Sequence, residues 1–295
     1  MKPKLSVIVV CLNSVKVLSH ALAALEPQIR SDDVEALVVG HWDNRPEASA
    51  VRARFREVTW LSATANCTVP QMRTLGIRRS QGDIVALLED DCVVADNWCQ
   101  AVIRAHESAS PAIGGPIEPG GHYSSRDWAV YFSEYGRFMA PFSGVVSALP
   151  GNNVSYKRAV VCDADENTGF QDVFVHWRLQ RLKVDLIADP SLVVRNVNRW
   201  SLNHLTATPF HHGRAFAAKR SETFSPQRRA LYGGLSIALP MIKVTRVARE
   251  VIGRRRYLQP FLRSFHWVFL FMASWAAGEY VGYVFGAGDS ASRWK

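Results

Sequence analysis

Along residues 5–105, continuous apolar runs alternate with stretches whose apolar positions recur every three or four residues. A continuous run reads as a strand buried on both faces, and a recurring stripe reads as a helix lying on a sheet. The pattern predicts strands at Leu5–Leu12, Glu35–Val39, Val58–Leu61 and Ile84–Leu88. Between them fall three helices. The first is capped by Asn13 or Ser14 and turns Val17, Leu18, Ala21, Leu22 and Leu25 inward. Pro46 opens the second, within Arg45–Glu57, and the third runs from Pro70 to Arg79 before Gln81-Gly82. Asp96 opens another. Repeated strand–helix units of this length imply an α/β fold with an open, mostly parallel sheet flanked by helices.

The rhythm breaks between Gly114 and Gly151, where Pro116, Pro119, Gly120 and Gly121 mark a loop. Trp128, Tyr131, Phe132, Tyr135 and Phe138 follow at helical spacing, which packing explains. A helix start at Gly169-Phe-Gln-Asp172 and strands at Val184–Ile187 and Leu192–Val197 come next. From Lys243 to Arg254, Val244, Val247, Ala248, Val251 and Ile252 share one helical arc, with Lys243, Arg246, Arg249 and Arg254 on the other. That is the pattern of a basic amphipathic helix at a membrane interface. Phe265–Gly286 is strongly apolar but carries Glu279. Its length allows a membrane span, a re-entrant or monotopic helix, or a core helix. These features divide the chain into residues 1–225 and a C-terminal membrane-associating helical appendage, 226–295.

Charge sharpens this division. The net charge is +9, and residues 228–263 alone hold nine Arg or Lys against one acid, Glu250. An anionic membrane surface met through residues 228–286 fits this placement, and a nucleic-acid footprint spread over the fold does not. Flanking arginines would put the start of the apolar segment on the cytoplasmic face of the membrane. The five scattered cysteines include no CxxC pair, which suits a reducing compartment.

The strand Ile84–Leu88 ends on Glu89-Asp90-Asp91. Three adjacent carboxylates repel, and Mg²⁺ or Mn²⁺ relieves this while sharing its shell with substrate phosphates. Strand alternation predicts that Glu89 and Asp91 point together and Asp90 points elsewhere. A solvated acidic turn is the plain alternative. Position favours the ligand site, because open parallel sheets bind ligands beyond the carboxyl ends of their strands.

Four elements lie in order: the strand ending in Asn13, Arg73-Thr-Leu-Gly76 on a helix, the acidic strand end, and Gly151-Asn-Asn153 followed by Gly169-Phe-Gln-Asp172. In this order and spacing the chain resembles the family-2 inverting glycosyltransferases with a GT-A fold, over roughly residues 5–225. The resemblance implies that Glu89 and Asp91 hold Mg or Mn against the diphosphate of a nucleotide-sugar donor. It implies that Arg73 approaches the nucleotide, with Asn13 and Asp90 also on the donor side, and that Asp172 is the base for the acceptor hydroxyl. His211-His212-Gly213-Arg214 lies where many members carry a loop closing over the diphosphate, giving His212 a metal role and Arg214 a donor role. Asn152 and Asn153 are candidates for the acceptor sugar, or for satisfying a turn. A glycan or lipid-linked acceptor, of the cell envelope, follows from the membrane reading.

The chain departs from the family pattern in places. The first strand ends Val10-Cys11-Leu12-Asn13 where Pro-Thr-Tyr-Asn is usual, and Gly40-His41-Trp42 stands where an acid usually reads the base, leaving Asp43 as the first acid. Gln171 replaces the usual Glu before the base. A non-catalytic membrane-bound scaffold and a nucleotide-sugar pyrophosphorylase are the alternatives. The latter would need a glycine-rich phosphate loop after the first strand, and Asn13-Ser-Val-Lys16 is not one. Asp172 could also be an acid favoured at a helix N-terminus by the macrodipole.

Overall fold

The computed structural model describes residues 2–30, 33–42, 46–162 and 167–293. Two compact units emerge, one of residues 1–121 and 138–198, the other of residues 122–137 and 199–295. The sequence had suggested a boundary at residue 225. It falls earlier because the helix after residue 206 packs with the C-terminal helices, as does the aromatic helix near residue 130.

Among the described residues the first unit holds eleven strands: β1 (Leu5–Cys11), β2 (Val34–Gly40), β3 (Thr59–Ser62), β4 (Ile84–Glu89), β5 (Cys92–Val94), β6 (Ala112–Gly114), β7 (Ile117–Pro119), β8 (Gly144–Val146), β9 (Asn153–Lys157), β10 (Leu186–Ala188) and β11 (Val194–Asn196). Eight form one sheet in the order β3-β2-β1-β4-β9-β6-β10-β8, and β5, β11 and β7 form a second. The first four strands are parallel, while β9 runs antiparallel to both β4 and β6. Helices α1 (Val15–Leu25), α2 (Glu47–Arg54), α3 (Val69–Arg79) and α4 (Trp98–Ala105) follow successive strands. In the second unit lies α5 (Ser125–Glu134); the short α6 (Arg158–Val161) and α7 (Asp172–Arg181) return to the first.

Alternation along β1 explains the layers. Leu5, Val7, Val9 and Cys11 pack with Leu18 and Leu22 of α1 and Trp98 of α4, whereas Ile8 and Val10 pack with Met72 and Ile77 of α3. Both faces are apolar because both are covered, which is why the strand reads as a continuous run. Register aligns the strand ends: Cys11 pairs with Gly40 and Val10 with Glu89. Leu88 pairs with Asn153, so the Gly151-Asn152 turn before β9 arrives at the same edge.

The second unit is helical: α5, α8 (Ala207–Arg220), α9 (Pro226–Leu235), α10 (Leu239–Arg254) and α11 (Leu258–Phe285). Glycines let α8 and α11 meet backbone to backbone; a Cβ on Gly278 would stand 2.0 Å from the Phe210 carbonyl oxygen, and one on Gly213 2.2 Å from that of Trp275. Phe132 of α5 packs edge-on against Phe261 of α11. In α10, Val244, Val247 and Val251 are buried in the protein. This corrects the amphipathic reading, since most of the apolar arc assigned to a membrane faces inward. Ile252 alone of that arc is exposed.

Candidate active site

The Arg-x-x-Gly spacing on α3 has a packing cause. A Cβ on Gly76 would lie 2.4 Å from Ile8 Cγ2, so the bare glycine lets α3 press onto β1. Arg73, three residues earlier on the same face, is thereby carried to the carboxyl edge. A capping box between Thr68 and Gln71 fixes where α3 begins. The loop before α7 is then held against α3's first turn. Gly169 has φ +73 and approaches so closely that a Cβ would meet the Pro70 carbonyl carbon at 2.3 Å, and the Phe170 N–H donates to the Pro70 carbonyl at 2.9 Å. Asp172 is the first residue of α7 and so enters from a fixed direction.

These elements bring Arg73, Glu89, Gly151, Asn152 and Asp172 together. Arg73 Nη1 donates to Asp172 Oδ1 at 3.1 Å, and Nη2 donates to Glu89 Oε1 and to the Gly151 carbonyl, each at 3.1 Å. Asn152 Nδ2 donates to Glu89 Oε2 at 3.4 Å. Beneath them Tyr156 of β9 and His176 of α7, both buried, share a 2.8 Å hydrogen bond.

Alternation holds along β4 only as far as Glu89, because Asp90 and Asp91 lie in the turn before β5. The three acids therefore take different hydrogen-bond partners, while Glu89 still feels the charge of Asp91. Glu89 faces Arg73. Asp90 accepts from the backbone N–H groups of Leu12 and Asn13 and from the Asn13 side-chain amide. Asp91 turns to Asn196 and Cys92. Burial raises all three carboxyls: Glu89 to about 7 with Arg73 opposing, Asp90 to about 6 with its Asn13 bonds opposing, and Asp91 to about 6 with Asp90's charge adding. Burial at the strand end thus penalises the charge on all three carboxyls.

Comparison with known proteins gives this edge a context. The sequence profile of glycosyl transferase family 2 matches residues 6–161, more than half of the chain. The chain belongs to glycosyl transferase family 2. No curated protein matches it in sequence. Among solved structures, it is similar to mannosyltransferase PcManGT from Pyrobaculum calidifontis in complex with GDP-Man and Mn²⁺, with a TM-score of 0.58 and 15% identity over 92% of this chain and 86% of that one. It is also similar to GalNAc-T7 with UDP, GalNAc and Mn²⁺, with a TM-score of 0.51 and 12% identity over 68% of this chain and 45% of that one. At these identities the likeness is one of fold, here the GT-A fold.

Within this family-2 glycosyltransferase the expected site residues fare differently. Asp172, Glu89, Arg73 and Asn152 form one cluster, and Asn13 and Asp90 form a second at the end of β1. Arg73, expected on the nucleotide, is engaged by two acids and is 8% exposed. Asn153 is no candidate for acceptor contact. Its amide donates to the Pro116 and Leu192 carbonyls and accepts from Trp98 Nε1, all inside the core. His212 and Arg214 sit within α8 rather than on a loop. There His212 meets the Trp275 ring edge-on, and burial with His204 and His211 nearby lowers it to about 4. Arg214 Nε donates to the Gly286 carbonyl at 2.9 Å. Asp43 lies outside the described residues.

Sequence reasoning missed Asn196, the last residue of β11, and Asn198 just beyond it; Asn198 Nδ2 donates to Asn13 Oδ1 at 3.2 Å. Their separation of more than 180 residues from Asn13 left no local signal. Among the described residues no three His, Cys, Asp or Glu side chains form a closed metal cage. Asp91 nevertheless suits a hard divalent cation, offering a buried carboxylate with no basic partner among the described residues. One or two carboxylates plus substrate phosphates is how such ions are ordinarily held in phosphate-binding sites.

Proposed function

We propose that this glycosyltransferase moves a sugar from a nucleotide-diphosphate donor to an acceptor hydroxyl with inversion, in a reaction dependent on Mg²⁺ or Mn²⁺. The observation that carries the reading is the placement of Asp172 beside the acidic strand end. Its Oδ1 is taken by Arg73, which leaves Oδ2 to receive a proton. In a direct displacement the acceptor oxygen forms a bond to the anomeric carbon as its proton passes to Asp172 Oδ2. The bond from that carbon to the diphosphate oxygen breaks on the opposite side, and its electron pair leaves with the diphosphate. When bound, the cation supplies charge neutralisation for that leaving group, with Asp91 as the residue that would hold it. The molecules named with the similar structures, GDP-Man in one and UDP and GalNAc in the other, support a nucleotide-sugar donor without choosing its base.

The second unit supports a peripheral membrane partner at the cytoplasmic face, with a glycan or lipid-linked acceptor. Leu231, Leu235, Ile237, Met241 and Ile242 are all more than half exposed, and Leu262 and Phe265 continue an exposed apolar row on α11. Exposed Arg228, Arg246, Arg249, Arg255 and Arg263 accompany them. Apolar side chains with arginines around them complement anionic headgroups over acyl chains. The other face of α11 is packed on α8 and buries Glu279, which favours lying on the bilayer over crossing it.

Calorimetry against UDP-, GDP- and dTDP-sugars, with Mn²⁺ and with EDTA, tests the transfer reading. Metal-dependent binding of one donor, lost in Asp91→Ala, is expected. Binding to none would favour a scaffold that kept the fold without the reaction. Flotation with phosphatidylglycerol vesicles, but not with phosphatidylcholine ones, is the expected result for the membrane face; equal flotation with neither would remove it.

A further inference from the structure

Glu89 and Arg73 are committed to each other in a way that changes their roles. Each Glu89 oxygen already has a protein donor: Arg73 Nη2 on Oε1 and Asn152 Nδ2 on Oε2. The charge of Glu89 is thus already balanced by a buried guanidinium, which weakens its pull on a cation. Arg73 is equally occupied, because its two terminal nitrogens serve two acids and the Gly151 carbonyl. To grip a diphosphate it would have to release one acid and leave that charge buried, which is costly. Asp91 is held by neutral Asn196 and Cys92 and has no cationic partner among the described residues.

The geometry of Asp172 shows what this arrangement accomplishes. Oδ1 is fixed by Arg73, while the Oδ2 side rests against Gly151, where an added Cβ would come within 2.8 Å of Oδ2. The carboxylate is thereby held from two directions, with 25% of the side chain left open. Only a planar fork with two separately directed ends can bridge acids on different elements, which a lysine ammonium does poorly.

We propose that Glu89, Arg73 and Asp172 form a positioning relay, in which Glu89 orients Arg73 and Arg73 orients the base, so that the cation is left to Asp91. Glu89 and Arg73 are then positioning residues on the acceptor side of the reaction rather than donor ligands. This rests on the transfer reading above, with Asp172 as the base.

The test compares Glu89→Gln, Arg73→Lys, Arg73→Met and Asp91→Asn in Mn²⁺-dependent donor affinity and in steady-state transfer. Glu89→Gln and Arg73→Met should keep donor Kd within about threefold of wild type while kcat falls about 100-fold, the usual cost of a misplaced group. Arg73→Lys should recover part of the kcat loss of Arg73→Met, and Asp91→Asn should lose donor binding. Gly151→Ala, which changes no charge, should lower kcat alone. Loss of donor binding in Glu89→Gln to the extent seen in Asp91→Asn would make Glu89 a cation ligand and overturn the relay. So would weakened donor binding with unchanged kcat in Arg73→Lys. If wild type binds no donor at all, the transfer reading fails separately. The linkage is then decided by thermal unfolding of Arg73→Met, Asp172→Asn and the double variant: strong non-additivity upholds it, and additive losses remove it.

Discussion

Asp90 and Asn13 are bound to each other just beyond the last pair of their strands, Val10 with Glu89. Asp90 Oδ2 accepts the Asn13 N–H at 2.7 Å and the Leu12 N–H at 3.1 Å, while Oδ1 accepts the Asn13 side-chain amide at 2.8 Å. The middle acid of the triplet therefore fastens the end of β1 to the end of β4. Removing it orphans three donors at a buried edge, so Asp90→Ala should lower stability by about 1–3 kcal/mol. Denaturant unfolding measures this, and an unchanged midpoint would show that Asp90 does not serve as the fastening.

Much of the fold is legible in the sequence because β1, β2 and β4 are covered on both faces and so read as unbroken apolar runs. The Arg73-to-Gly76 spacing and the acidic strand end could likewise be read, since each is local. What could not be read is which way each acid faces. The strand ends at Glu89 and the backbone then turns toward β5, so alternation does not fix which partners Asp90 and Asp91 find. Asn153 looked like a ligand because polar residues beside a glycine usually sit in exposed turns; here β9 carries it into the core. The α10 helix misled for a related reason, since an apolar arc is the same whether it meets lipid or α11.

Asp172→Asn should abolish transfer while leaving donor affinity intact. The amide keeps the shape of the carboxylate but cannot take the acceptor proton, and a lost general base ordinarily costs about 10²–10⁴-fold in rate. Retained folding can be followed through the α7 register, which Tyr156 and His176 also secure. Undiminished kcat in Asp172→Asn, with donor Kd unchanged, would take the base role away from this residue.

Stability should depend on pH in a direction set by the acidic triplet. Glu89 rises from 4.5 to about 7, and Asp90 and Asp91 from 3.8 to about 6, chiefly through burial. The folded chain thus holds protons that the unfolded chain has released. The associated stability is full below the unfolded values and is lost as pH rises through about 6–7. His106 and His212, lowered to about 4 chiefly by burial, act in the opposite sense, but only below their ordinary value of 6.5. Above that value the acids dominate. In EDTA the thermal midpoint should therefore fall between pH 6.5 and 8, and added Mn²⁺ should restore more of it at pH 8, where the carboxylates are ionised. A midpoint insensitive to Mn²⁺ at pH 8 would count against a cation at this edge.

The glycines of the second unit offer a paired test of how α11 is held. At Gly278 a Cβ would meet the Phe210 carbonyl oxygen at 2.0 Å, and the obstruction is backbone that cannot step aside. At Gly234, near the end of α9, a Cβ would meet nothing within 4 Å. Gly278→Ala should force α8 and α11 apart and destabilise by about 1–3 kcal/mol, the ordinary range for overpacking. Separation would also disturb Glu279, whose carboxylate takes the Trp275 indole N–H at 2.6 Å and the Tyr283 hydroxyl at 3.4 Å. Those bonds are what make an acid tolerable in an otherwise apolar helix, and exposing it would weaken the face turned toward α8. Gly234→Ala should instead be neutral or stabilise by up to about 1 kcal/mol, because alanine gains helix propensity without a clash. Circular dichroism melts of the two variants separate these outcomes. Equal effects would mean that α11 is not seated on α8 through its glycines, and the case for a helix that lies on the bilayer rather than crossing it would lose its support.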